Sequence, residues 1–234
     1  MPILSAFGAA KAIGVTGGAQ GSVGNYSYVF SSAVLTYPIN SAFAIGSNDF
    51  SIECFVYLTG YPAPGNEGGL MDFGYPTAEK PTVVIRSNGQ VGLYKVNTSG
   101  TNTVILTGTT VPLNTWTYIV ATRVLGTARL FIGATQQGSG SFTGSLSTGS
   151  GKPPQIGRRG TGSSFFLNAN ISNLRFNVGS GFTSVTIPTQ ALTPSATTKI
   201  LTCQSSTVID NSVANGGGPW TITNSGVTVT TGPF

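Results

Sequence analysis

The chain contains no histidine, and only 7% of its 234 residues are charged, against about 25% in an ordinary soluble domain. The missing imidazole excludes Ser-His-Asp and Cys-His catalytic arrangements and any His-ligated zinc. Two cysteines, Cys54 and Cys203, cannot close a four-ligand zinc cage and are too few for a disulfide framework. They read as two buried thiols, with a Cys54–Cys203 bridge as the alternative. The six acids, Asp49, Glu53, Glu67, Asp72, Glu79 and Asp210, are scattered, leaving little material for acid-base work or for binding hard cations. No apolar run reaches the roughly 18 residues of a membrane span, so no membrane insertion is expected. The opening MPILSAFGAAKAIG is broken by Lys11 and has no basic n-region, so it reads as part of the mature chain.

What is present points to strands. Gly (33) and Pro (13) disfavour helix interiors, while the abundant Thr, Val, Ile, Phe and Tyr suit pleated sheets. Hydrophobic residues make up 39% and aromatics 10%, enough for a packed core in a single domain. The net charge is +5, but only Arg158 and Arg159 are adjacent. Nucleic-acid surfaces cluster their cations, so no such partner is expected.

Residues 1–24 are Gly- and Ala-rich without periodicity and read as an N-terminal arm, whose Ile3, Leu4 and Phe7 are placed to dock on a neighbouring subunit. From residue 25 on, strand-like runs bounded by Gly, Pro, Asn or Ser recur to the C-terminus, with no convincing helix. Phe50 to Tyr57 alternates Phe50, Ile52, Cys54 and Val56 on one face with Ser51, Glu53, Phe55 and Tyr57 on the other. Thr82 to Arg86 and Gln90 to Val96 flank Ser87-Asn88-Gly89, where Asn-Gly supplies the positive φ of a tight hairpin. Thr115 to Val124 and Ala128 to Ile132 form a second hairpin. Further strands are expected at Asn102 to Leu106, Pro154 to Gly157, Ile171 to Asn177, Lys199 to Cys203 and Trp220 to Thr230. The expected fold is all-β, a two-sheet antiparallel jelly-roll sandwich over residues 25–234, including a β extension from about 182.

In order along the chain come FAIGSNDFSIECFVY (43–57), the LMDFG turn (70–74), SNGQVGLY (87–94), LNTWTYIVATR (113–123), RLFIG (129–133), PQIGR (154–158) and ISNLRF (171–176). This succession resembles a laminin-G-like domain of the concanavalin A-like lectin and glucanase superfamily. It departs at Tyr118, where such domains often carry a histidine after the tryptophan. The stretch from Phe182 to Ser212 and the closing Gly-Pro-Phe are similar to tails of laminin-G-like proteins of marine and cyanobacterial phages. That similarity implies a virion protein, assembled in the host cytoplasm.

Several functions compete. The superfamily's glucanases line two glutamates and an aspartate along one strand, and nothing here matches. Asp49 and Glu53 would sit roughly 13 Å apart on an extended chain, against the roughly 5 to 5.5 Å of a retaining pair, so no enzyme is expected. No cofactor is expected other than Ca²⁺, for which Asp72 and Asp210 with loop carbonyls are the candidates; otherwise they cap turns. Glycan binding would draw on loop residues Tyr61, Asn66, Tyr75, Arg158, Arg159, Phe165 and Trp220, each of which also reads as core or subunit contact. A surface of Thr, Ser, Asn and Gly packs against copies of itself or other virion proteins without desolvating charge. The favoured reading is a non-enzymatic phage virion component, decorating the capsid or associated with the tail or its fibre, with host-surface glycan as a further partner. The alternatives are a receptor-binding tail adhesin and a secreted bacterial lectin-like module.

Overall fold

The computed structural model describes residues 25–73, 80–96, 102–146, 152–160, 165–212 and 219–234. Ile3, Leu4 and Phe7 of the arm, and Tyr75, lie outside these residues. Two antiparallel sheets face each other. One contains β1 (Tyr26–Phe30), β3 (Phe50–Gly60), β8 (Trp116–Val124), β9 (Thr127–Ile132), β10 (Thr135–Ser141), β12 (Asn168–Val178), β13 (Thr198–Thr202) and β15 (Thr228–Thr231). Its order is β10-β9-β8-β3-β12-β1-β15, with β13 also paired to β12. The other contains β2 (Val34–Thr36), β4 (Glu67–Asp72), β5 (Lys80–Arg86), β6 (Gln90–Val96), β7 (Asn102–Thr110), β11 (Gln155–Ile156) and β14 (Thr223–Ser225), in the order β14-β2-β11-β4-β5-β6-β7.

The strands form where alternation gives each sheet an apolar inner face. From the eight-stranded sheet Tyr28, Ile52, Cys54, Val56, Ile119, Ile171 and Phe176 point inward, meeting Leu35, Leu70, Val83, Ile85, Leu93 and Ile156 from the seven-stranded sheet. Full burial of each such aliphatic or aromatic side chain is worth about 1.5–3 kcal/mol. Cys54 and Cys203 are both free and buried, not bridged, and burial pushes both thiols above their ordinary pKa. At one end Arg123, 1% exposed, donates to the carbonyls of Gly46 (2.9 Å), Gly144 (3.2 Å) and Asn48, with its guanidinium between the rings of Phe50 and Phe142.

Three local expectations change. The Ser87-Asn88-Gly89 hairpin forms, but only Gly89 has positive φ (+79°), as in a three-residue loop that ends in a left-handed glycine. The region Trp220 to Thr230 is not one strand, because β14 and β15 join opposite sheets and the turn between them closes that side of the sandwich. The LMDFG segment read as a turn is mostly strand β4, and β1, β2 and β10 were not legible from alternation. A 3-10 turn at Ser41–Phe43 is capped by the Asn40 side chain.

Candidate outer-face binding site

The outward side chains of the eight-stranded sheet divide its outer face into three zones. In the first, the segment after β12 folds back over the sheet. The Phe182 N–H donates to Thr122 Oγ1 (2.9 Å), Ile187 passes beside Gly133, and the Leu192 N–H donates to Asn173 Oδ1 (2.7 Å). Asn173 has a left-handed backbone (φ 54°) at a bulge of β12, which turns its amide toward the segment. Beneath lies a cavity of about 180 Å³, lined by Glu53, Tyr118 and Arg175 below and by Phe182, Ser184 and Thr186 among the residues above.

The floor of that cavity is an ionic network. Glu53, 1% exposed, takes Arg175 Nε (2.8 Å) and Nη2 (2.7 Å) on one oxygen and the Tyr118 hydroxyl on the other. Arg175 Nη1 donates to the Thr193 carbonyl (2.8 Å), tying the covering segment to the sheet. Burial, with the neighbouring Glu53 charge, raises the Tyr118 pKa far above its usual value, so the phenol stays a donor. At Tyr118 the chain thus places a hydrogen-bond donor onto a buried carboxylate.

In the second zone the chain end seals the sheet. Phe234 packs edge-on against Phe55 (5.2 Å), itself beside Tyr118 (4.9 Å), and the N–H groups of Gly232 and Phe234 donate to the Asn25 carbonyl and side chain.

The third zone is left open by the described residues. Tyr57 and Trp116 are register partners on β3 and β8, with ring centroids 5.5 Å apart and planes tilted by 54°. Both are half-buried, as is Asn170, the partner of Tyr57 on β12. No hydrogen bond to a described residue occupies the Tyr57 hydroxyl, the Trp116 indole N–H or the Asn170 amide. Trp116 also packs on the Phe55–Tyr118 cluster, and partly exposed rings beside unspent donors and acceptors are the chemistry of sugar recognition.

The residues singled out from the sequence sit elsewhere and do not converge on one site. Arg158, Arg159 and Phe165 belong to two short segments, 158–160 and 165–166, that pair with each other on the outer face of the seven-stranded sheet. There Gly69 is required, since a Cβ would lie 2.3 Å from the backbone carbon of Arg158. Arg159 pairs with Glu67 and lies over the Tyr94 ring (5.4 Å), the Tyr94 hydroxyl donates to Glu67, and Arg86 Nε stands 3.7 Å from the same carboxylate. Arg158 stacks over Phe166 (5.4 Å), and the Phe165 carbonyl accepts from Gly69 and Arg159. Asn66 is half-buried next to Glu67. Tyr61 and Trp220 are structural: the Tyr61 hydroxyl donates to the Val111 carbonyl (2.9 Å), while Trp220 packs on Phe43 (4.8 Å) and its indole donates to the Lys199 carbonyl (2.7 Å).

The candidate calcium ligands are spent on the protein itself. Asp72, fully buried, accepts from Thr82 Oγ1 (2.8 Å) and the Gly160 N–H (2.7 Å). Asp210 accepts from the N–H groups of Leu201 and Trp220 (3.0 Å each) and from Ser212, and burial raises its pKa. Both carboxylates fasten loops, the alternative their types allow. Among the described residues no three His, Cys, Asp or Glu side chains gather as a metal cluster.

The fold has solved relatives. A Bacteroides ovatus protein described as a candidate carbohydrate-binding protein superposes with a TM-score of 0.60 at 14% identity, over 90% of this chain and 61% of that one. This chain therefore spans under two thirds of that protein. The native heptameric SAP-like pentraxin of Limulus polyphemus superposes with a TM-score of 0.53 at 13% identity, over 89% of this chain and 95% of the pentraxin. No curated protein matches the sequence. A family model matches residues 24–177, and through it the chain belongs to the laminin-G-like branch (Laminin_G_3) of the concanavalin A-like lectin/glucanases superfamily.

Proposed function

We propose that the chain is a non-enzymatic, lectin-like module that takes a glycan on the open zone of the eight-stranded sheet. The observation that carries this reading is the half-exposed Tyr57–Trp116 pair beside the uncommitted Asn170 amide. Rings offer apolar faces to the C–H side of a sugar, while amide and indole bond its hydroxyls. The description of the Bacteroides ovatus relative as carbohydrate-binding is in keeping with it.

Hydrolysis is a poorer fit. Glycoside cleavage ordinarily needs two carboxylates across the bond. Glu53 alone among the cavity-lining residues carries one, and Arg175 and Tyr118 already occupy it.

The setting we propose is a phage particle, on the capsid or the tail. Its support is the likeness of residues 182–212 to tails of phage laminin-G-like proteins, and a surface so poor in charge that copies can pack without stranding ions. A glycan array that includes bacterial surface polysaccharides tests the binding role. Retention by wild type and loss with Trp116→Ala is expected, and an array with no bound glycan would defeat it. Imaging of intact particles tests the setting: copies on the order of hundreds place the chain on the capsid lattice, small multiples of a symmetric assembly place it on the tail, and absence from particles removes the virion role.

A further inference from the structure

We infer that the ligand of the open zone is a linear, uncharged glycan lying across the strands, on the row Trp116, Tyr57, Asn170, Val29 and Thr228. This deepens the glycan reading and rests on it. The row follows from strand register: Trp116 pairs with Tyr57, Tyr57 with Asn170, Asn170 with Val29, and Val29 with Thr228, linking β8, β3, β12, β1 and β15. All five lie on the outer face: Val56, Ile171, Tyr28 and Val229, the chain neighbours of Tyr57, Asn170, Val29 and Thr228, pack into the inter-sheet core, and Trp116 packs with the outward Phe55 and Tyr118 while Ile119 of β8 faces the core. The first four are half-buried and Thr228 is exposed.

Length follows from sheet geometry. Five strands spaced about 4.8 Å apart span about 19 Å, enough for about four linked pyranose rings. The zone is bounded on one side, where Phe234 covers Phe55. On the other side Thr59 and Asn168 add a hydroxyl and an amide. Neither the row nor these neighbours carries a charge, so an anionic polysaccharide finds no counter-ion and keeps its desolvation cost. Rings at one end, an amide in the middle and a hydroxyl at the other suit a ligand that alternates C–H faces with hydroxyl edges and extends past one sugar. A single monosaccharide would engage only the aromatic end.

The test is calorimetric titration of the full chain with neutral ladders of one to six units (malto-, cello- and chito-oligosaccharides), alongside an acidic ladder of oligogalacturonates. For at least one neutral ladder, affinity should rise with each unit to about four and then level off, with the acidic ladder at least about tenfold weaker. Trp116→Ala and Tyr57→Ala should each cost about tenfold or more, and Thr228→Arg at the far end should lower affinity for the four-unit ligand while sparing two units. Affinity indifferent to length, or stronger for the acidic ladder, would overturn the inference while leaving the glycan reading intact. Failure of wild type to bind any sugar would overturn both. Circular dichroism of each variant separates lost binding from lost fold.

Discussion

The Glu53–Arg175 pair makes a quantitative prediction, because the two residues differ in how much water can compensate for a missing partner. Glu53 is 2% exposed at its side chain and Arg175 is 17%. Arg175→Met would leave the buried carboxylate with only the Tyr118 hydroxyl, an uncompensated charge that costs about 3–5 kcal/mol. Glu53→Gln keeps an acceptor for Tyr118 and leaves Arg175 bonded to the Thr193 carbonyl, so its cost should be about 1–3 kcal/mol. The double variant removes both charges together and should cost less than the sum by about 0.5–3 kcal/mol. Urea denaturation with linear extrapolation measures all four corners of the cycle. Because Arg175 also anchors the covering segment, the Met variant should become sensitive to limited proteolysis between 182 and 192. Additive single effects, or an Arg175→Met cost below that of Glu53→Gln, would refute the idea that the cavity floor is a mutually dependent ion pair.

Three further outcomes follow from packing and titration. Gly69→Ala should cost several kcal/mol or abolish soluble expression, since the added methyl meets backbone 2.3 Å away; near-native stability in thermal denaturation would contradict the close seating of the Arg158–Arg159 backbone on Gly69. Burial raises the Asp210 pKa above its ordinary 3.8, so the unfolded state loses its proton first and this residue's contribution to stability declines as pH rises through the folded pKa. The stability of wild type minus that of Asp210→Asn should accordingly fall with rising pH above about 3.8 and then flatten, and urea curves from pH 3 to 7 showing the opposite slope would be incompatible. Cys54 and Cys203, both buried with elevated pKa, should resist thiol reagents in the native protein and react fully once unfolded; rapid native labelling would count against the core placement.

Much of the sandwich was legible because strand alternation writes inner faces directly: Ile52, Cys54 and Val56 share a side in the sequence and a core in the structure. Glycine-punctuated hairpins were legible for the same local reason. Long-range partition was not, and so Trp220 to Thr230 read as one strand although Thr223–Ser225 and Thr228–Thr231 serve different sheets. The sequence reading looked for functional aromatics on loops, and the residues it chose do not gather in one place. The loop residues Tyr61 and Trp220 turned inward to satisfy carbonyls, whereas the half-exposed pair came from strands, Tyr57 within β3 and Trp116 at the start of β8. A usable signal existed: Phe55 and Tyr57 share the second face of β3, and Trp116 and Tyr118 alternate likewise on β8. What alternation could not say is that Phe234 and the 182–192 segment would bury one half of that aromatic face and leave the other open.

The chain has two tryptophans, and they divide the competing accounts between them. Trp116 stands on the open row, while Trp220 packs against Phe43. Fluorescence titration with a glycan recovered from the array, using Trp116→Phe and Trp220→Phe, tests the binding face most directly. The Trp220→Phe protein should keep the full ligand-induced change in emission and the Trp116→Phe protein should lose it. A response that persists without Trp116 and vanishes without Trp220 would place the ligand elsewhere and contradict the account.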